Sequence, residues 1–286
     1  MCELISSTKI YYSNTIMVIN LNDNPFFIIG CQRSGTTLLR LILESHSKVR
    51  CFDEPDSYSL LQNFKKSNSK QEEFICYKTP LITEQFHEPF FSDPSFDFLI
   101  PNIFENCKRI FILRDVRDTI CSMIKLPQGS STWFEYWPKK TIEFWKFTIS
   151  NFTNQFSDDL KLISKSSENL YAYASFYWKI KTQSFLEYNS DNTLGIRYED
   201  LVKNPKTTIQ EIIKFLELSW EDSLMQHPKK AHSMTDSKGI TVGNTNTKLS
   251  IFDSSVGQFK QNMSSEQEEI VLSISGPLMK KLGYVV

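Results

Sequence analysis

Pro25-Phe26-Phe27-Ile28-Ile29-Gly30-Cys31-Gln32-Arg33-Ser34-Gly35-Thr36-Thr37 is the stretch on which the architecture turns. Its first six residues are an apolar run stopped by glycine, the pattern of a strand buried on both faces of a parallel sheet. From Thr36 to His46 the residues Leu38, Leu39, Leu41, Ile42 and Leu43 predict a buried helix. The loop between them is spaced G-x-x-x-x-G, from Gly30 to Gly35. Its glycines permit a tight turn, its backbone N–H groups can point inward together, and the helix N-terminus adds positive potential. An oxyanion ester suits such a loop. A nucleoside-triphosphate loop of this spacing requires Lys next, but Thr36 stands there, and the cation is Arg33, two residues before Gly35. A nucleotide kinase therefore lacks its phosphate lysine.

Working outward, Phe74–Lys78 reads as a second strand, ended by Thr79-Pro80. Arg109–Leu113 is a third, followed by a helix through Met123; Thr193–Tyr198 is a fourth, and Thr207–Leu218 an amphipathic helix. Strands alternating with helices imply an α/β fold: a parallel sheet flanked by helices with right-handed crossovers. Residues 1–24 read as an N-terminal extension and 25–286 as a single domain. Trp133 to Phe147 is dense in aromatics, predicting a helix with a core face, with a substrate-lining wall as the alternative. Residues 227–256 are polar and long, hence a functional loop or a partly disordered one.

Composition bounds the function. Lys plus Arg total 32 against 33 Asp plus Glu, a formal net charge of −1, which argues against a general nucleic-acid binder. No apolar run approaches the ~20 residues needed to cross a bilayer, and no basic-then-apolar leader opens the chain, so the expectation is a soluble, cytoplasmic protein. The six cysteines, Cys2, Cys31, Cys51, Cys76, Cys107 and Cys121, include no C-x-x-C pair. Neither they nor the four histidines have ligand spacing, and no metal is expected. His46 reads as a cap on the first helix, while His227 and His232 are placed to touch substrate.

After the third strand comes Arg114-Asp115-Val116-Arg117-Asp118-Thr119-Ile120-Cys121-Ser122. An arginine at the C-terminal end of a parallel strand sits where such sheets bind ligands, and Ser122 lies two helical turns beyond. Guanidinium and hydroxyl together suit a phosphate monoester. Taken alone this is a weak signal, since an Arg-Asp-x-Arg-Asp run is usually a solvated salt-bridge network.

The two segments together resemble the sulfotransferase superfamily, whose 5′-phosphosulfate loop reads x-x-[RK]-S-G-T-T and whose 3′-phosphate site pairs an Arg with a Ser eight positions later. The resemblance implies a nucleotide-kinase-like α/β fold and 3′-phosphoadenosine 5′-phosphosulfate (PAPS) as donor, with adenosine 3′,5′-bisphosphate (PAP) as product and no metal. It assigns Arg33, Ser34, Gly35, Thr36 and Thr37 to the 5′-phosphosulfate, and Arg114 and Ser122 to the 3′-phosphate.

Further segments resemble tyrosylprotein sulfotransferases. Val49-Arg50-Cys51-Phe52-Asp53-Glu54 is similar to V-R-C-G-E-E, whose second Glu is the catalytic base, and Cys76-Tyr77-Lys78 to C-N-K, whose Lys stabilises the transition state. The resemblance thus implies Glu54 as general base and Lys78, with Arg33, as catalytic cations. It also implies a cofactor contact for Tyr198, cofactor roles for Thr245 and Lys248, and neighbouring cysteines at 51 and 76, with a bond optional. The ending Ser275–Tyr284 resembles that family's last helix. Two residues past the base, where the family carries an Arg for acidic peptides, this chain has Asp56, and no counterpart of the family's membrane anchor is expected. The expected acceptor is therefore a small molecule, such as a secondary metabolite, carrying a hydroxyl or amine and positive charge beside Asp53 and Asp56, with Trp133 as a further substrate contact. Protein-tyrosine and carbohydrate acceptors, a P-loop kinase and a non-catalytic cofactor-binding module are the alternatives. No nucleic-acid or membrane partner is expected, and a homodimer is left open.

Overall fold

The computed structural model describes residues 24–54, 56–57, 74–86, 107–187, 191–229 and 250–286. Five parallel strands form its sheet: β1 (Pro25–Gly30), β2 (Val49–Phe52), β3 (Phe74–Lys78), β4 (Lys108–Leu113) and β5 (Thr193–Arg197). They lie in the order β2-β3-β1-β4-β5. From β1 the chain runs out to β2, steps back to β3 and then crosses to the far side of β1. The C-terminal end of β1 is therefore a topological switch point, where open sheets of this kind leave a ligand crevice.

Alternation along the strands sends side chains to two cores. Phe26, Ile28, Cys76, Ile110, Ile112 and Ile196 face α1 (Thr36–Glu44) and the helix Pro205–Leu216. Phe27, Ile29, Tyr77, Phe111 and Leu113 face the other layer. That layer holds α2 (Val116–Ile124), α3 (Trp133–Thr148), α4 (Asn169–Glu187) and the C-terminal helix Ser265–Lys281. The α/β expectation holds, and β1, β3 and α1 begin where the sequence placed them. Pro205 opens its helix at the first helical turn, two residues before the expected start, and Glu217 in the left-handed region (φ 61°) closes it. Strand β2 escaped sequence reading because it is an edge strand of four residues with an exposed Arg50.

Helix α3 confirms a helical aromatic run but only part of its core face. Phe134, Ile142 and Trp145 are buried, and Trp145 stacks on Tyr177 with ring centres 5.8 Å apart, whereas Phe147 is 90% exposed. His46 caps α1 through its backbone, its N–H bonding the Leu43 carbonyl at 3.1 Å. Its ring does more: Nε2 bonds the Ser219 carbonyl at 2.8 Å and Nδ1 accepts the Lys48 N–H at 3.1 Å, tying two loops together. Among the described residues no helix is long and apolar enough to cross a membrane.

Candidate active site

All five strands deliver a candidate residue at their C-terminal ends: Asp53 and Glu54 after β2, Lys78 closing β3, Arg33 to Thr37 after β1, Arg114 after β4 and Tyr198 after β5. Two segments far apart in sequence thus meet in one crevice because a parallel sheet points every strand the same way.

The loop after β1 is held tightly. Gly30 has φ 136°, and a Cβ there would lie 2.4 Å from the Ile112 carbonyl oxygen. At Gly35, φ 103°, a Cβ would strike the Tyr198 ring at 2.4 Å. Only glycine serves at either position. Thr83 clasps Gly30 from the turn after β3, accepting its N–H at 3.0 Å and donating to its carbonyl at 2.9 Å. Tyr177 donates to Gln32 at 2.7 Å, anchoring the loop to the aromatic core. Arg33 itself adopts φ 72°, a left-handed conformation that non-glycine residues hold only when their surroundings enforce it.

Next to this loop opens a cavity of about 440 Å³, lined by Arg33, Thr36, Thr37, Arg114, Ser122 and Tyr198 among the expected residues. Lys125 and residues of the segment 250–258 continue its wall; among the described residues three cations and no carboxylate line it. Arg33 Nε donates to Ser122 at 3.3 Å, joining the two expected half-sites directly. Arg114 donates to the carbonyls of Arg33 at 2.8 Å and Ser255 at 2.9 Å, and its guanidinium lies 4.2 Å from the Tyr198 ring centre. Burial, with the neighbouring Arg114 charge adding to it, pushes the Arg33 guanidinium down to about 10. A polyanion would relieve that repulsion. Two buried polar atoms of these segments have no hydrogen-bond partner among the described residues: the hydroxyl of Ser34, a residue 1% exposed, and Arg114 Nε. Buried polar atoms are normally satisfied, so both fit a ligand rich in acceptor oxygens.

On the other side of β1 the charges are paired. Lys78, 2% exposed, reaches Thr37 at 3.2 Å, Asp53 at 2.5 Å and Glu54 at 3.9 Å. Asp53 also faces Arg40 at 3.5 Å. Burial acts to raise the Asp53 carboxyl, but the charges of Lys78 and Arg40 and its hydrogen bonds overcome this and hold it low. The charge of Asp53, expected to face a substrate, is thus engaged by Lys78 and Arg40. Burial drives the Glu54 carboxyl the opposite way, upward, and Asp53 adds to that, against the lowering influence of Lys78, Lys181 and Arg33. A carboxyl with raised affinity for a proton, a quarter exposed and near a buried lysine, can accept one from a bound partner.

The remaining candidates divide. Asp56 lies in the helical turn after Glu54 and is half-buried. Trp133 packs edge-on against Tyr177 at 5.7 Å and does not line the cavity. His227 is buried and likewise lines no part of it. Thr245, Lys248, His87 and His232 lie outside the described residues. The Arg-Asp-x-Arg-Asp run is no solvated network: Asp115, Arg117 and Asp118 are all buried, with Arg117 paired to Asp115 at 2.7 Å. Cys51 stands opposite Cys76 in the β2–β3 ladder, as expected of neighbours, and both thiols are free. Lys125, Ser250, Ile251, Phe252, Ser254, Ser255 and Gln258 were missed, since serines in a polar loop carry no signal until the fold sets them against Arg114.

Comparison with known proteins bears on this geometry. The family described as "Sulfotransferase domain" matches residues 23–283. Protein-tyrosine sulfotransferase 2 of Gallus gallus is 26% identical over 237 residues, covering 70% of this chain and 53% of that protein. Protein-tyrosine sulfotransferase A of Caenorhabditis elegans is 23% identical over 299 residues, 91% of this chain and 67% of its own. The chain thus spans between about half and two thirds of these relatives. Among solved structures, the sulfotransferase domain from the curacin biosynthetic pathway superposes with a TM-score of 0.53 at 18% identity, covering 91% of this chain and 98% of that one. Mouse sulfotransferase SULT7A1 complexed with PAP gives 0.53 at 18%, covering 90% and 85%. At such identities these two likenesses speak to the fold alone.

Proposed function

The chain belongs to the sulfotransferase family, and from that premise we propose that it transfers a sulfuryl group from PAPS to the hydroxyl or amine of an acceptor, with Glu54 as general base. The observation that carries this reading is the cavity that Arg33, Arg114 and Lys125 line with no carboxylate among the described residues, and that abuts, through Thr37, the Lys78–Glu54 pair. The donor supplies an activated sulfuryl group. Arg33, Ser34, Thr36, Thr37 and the loop backbone around Gly35 would hold its 5′-phosphosulfate; Arg114 and Ser122, with Lys125 beside them, would hold its 3′-phosphate, and Tyr198 would contact the nucleotide. Ser34 and Arg114 each bring an unsatisfied buried atom to that task.

Glu54 takes the proton that the acceptor O–H or N–H gives up as the new bond to sulfur forms. Lys78 and Arg33 meet the negative charge that develops on the departing phosphate oxygen. Thr37, bonded to Lys78, places the lysine at the loop and links binding to chemistry. As in phosphoryl transfer, positioning and electrostatics carry most of the catalysis.

For the acceptor we keep a small molecule, on the ground that Asp56 stands where an arginine would favour an acidic peptide. With Asp53 neutralised by Lys78 and Arg40, its positive charge rests on Asp56 alone. A tyrosine in a protein is the second reading, favoured by the names of the relatives. A cytoplasmic location belongs to the same proposal. The test incubates the protein with PAPS and two acceptor panels, cationic and phenolic metabolites or tyrosine peptides, and follows PAP release and acceptor mass. Sulfated metabolites support the first reading and sulfated peptides the second. PAP formation with neither panel above hydrolysis, or no PAPS binding at all, would overturn the assignment.

A further inference from the structure

Asp118 has no part in the chemistry above, yet it is 1% exposed and carries a charge that burial disfavours. Both of its carboxylate oxygens accept backbone N–H groups from one distant segment: Gly257 at 2.6 Å and Phe259 at 3.1 Å. Its own carbonyl accepts from the Gln258 side chain at 3.3 Å. Gly257 has φ 75°, a left-handed turn that an ordinary side chain would resist and that brings both N–H groups to one carboxylate.

The segment fixed in this way is the cavity wall. Ser254, Ser255 and Gln258 line the cavity, and Ser255 and Gln258 each bond residues placed beside the donor. The Ser255 carbonyl accepts from Arg114 at 2.9 Å, its hydroxyl pairs with the Tyr198 hydroxyl at 2.6 Å, and Gln258 accepts from Lys125 at 2.6 Å. Arg114 and Asp118 sit four residues apart on one strand end and helix start, so they grip the same segment from one side. A guanidinium aimed by a fixed carbonyl recognises a phosphate in one orientation; a guanidinium beside a loose loop does not.

We propose that Asp118 is a positioning residue for donor recognition: by holding Gly257 and Phe259 it sets the Ser255 carbonyl that aims Arg114 at the 3′-phosphate, without itself touching the donor. The inference rests on the donor reading given above and adds to it which buried acid builds the pocket wall.

The experiment is a double-mutant cycle read by calorimetric titration with PAP on the whole chain: wild type, Asp118→Ala, Arg114→Ala and the double variant. Asp118→Ala should weaken PAP roughly 10–100-fold, as expected for losing charged hydrogen bonds. In the Arg114→Ala background the same change should cost less than about 3-fold, because the residue through which it acts is gone. Amide exchange at Gly257 and Phe259 should quicken in Asp118→Ala. Equal losses in both backgrounds would mark a general fold defect and overturn the proposal, as would unchanged affinity. Should Asp118→Ala fail to fold, Asp118→Asn, which keeps one acceptor oxygen, enters the same cycle under the same criteria. Wild-type protein that does not bind PAP would sink the donor reading and the anchor with it. An anchor that fails alone leaves wild-type binding intact.

Discussion

The two sides of β1 handle charge in opposite ways. Toward β4 and β5, Arg33, Arg114 and Lys125 line a cavity that no carboxylate of the described residues enters. Toward β3 and β2, Lys78 and Arg40 face Asp53, and only Glu54 stands partly aside. A pocket for a polyanion needs a standing positive field that the ligand completes. A site for proton removal needs the reverse: a neutral balance, in which one carboxyl is pushed toward holding a proton. The sheet order places each set on its own side, with the loop after β1 shared between them.

That contrast makes Glu54 the most sensitive position. Glu54→Gln is expected to lower turnover by about 10²–10⁴-fold while leaving PAP affinity near that of wild type, the usual worth of a positioned proton acceptor. Single-turnover kinetics with calorimetry separate the two quantities. Near-normal turnover would place the base elsewhere and break the division between the two sides. Lys78→Met sharpens it: since Lys78 lowers the Glu54 carboxyl, its removal should shift the acid limb of the rate profile to higher pH.

On the other side the effect should fall on binding. Arg114→Ala is expected to cost roughly 2–5 kcal/mol of PAP affinity, the range for truncating a desolvated partner of a charged group. Part of that loss would come from the loop, since Arg114 also holds the Arg33 carbonyl. Lys78→Ala, by contrast, should act mainly on turnover, because its contribution grows with charge in the transition state. Calorimetry showing that Lys78→Ala weakens PAP as much as Arg114→Ala would erase the distinction.

Sequence legibility followed the same line. Gly30 to Thr37 could be read because a glycine-bounded loop between an apolar strand and an apolar helix has few uses, whereas Arg114 with Ser122 stood out only through the resemblance to sulfotransferases. The pairing of Asp53 could not be read. Its partners Arg40 and Lys78 come from α1 and β3, and nothing local distinguishes an exposed acid from one enclosed by two cations. Asp118 was equally opaque, since its ligands are backbone N–H groups nearly 140 residues away, which any sequence can supply. Strand β2 was hidden by its brevity, and the serine wall by its polarity.

The smallest expected effect tests the pair of neighbouring carboxylates through stability. Asp53 has its affinity for a proton lowered on folding, so its contribution is present above the unfolded aspartate value of about 3.9 and is lost as pH falls through the folded value. Glu54 has its affinity raised. Its favourable contribution is therefore complete below the unfolded glutamate value of about 4.3 and disappears as pH rises through the folded value, where a charge forms in a partly buried site beside Asp53. Gln at position 54 never ionises. Glu54→Gln should thus match wild type in melting temperature below about pH 4 and gain on it as pH rises. By neutral pH the variant should melt above wild type, the sign set by the raised proton affinity of Glu54. Asp53→Asn should move the opposite way at neutral pH, because Lys78 and Arg40 would lose the carboxylate that compensates them. Thermal denaturation of the three proteins across pH 4–8 distinguishes the cases. Parallel curves for the two variants would mean that the carboxyls share one environment, and the poised role of Glu54 would lose its physical basis.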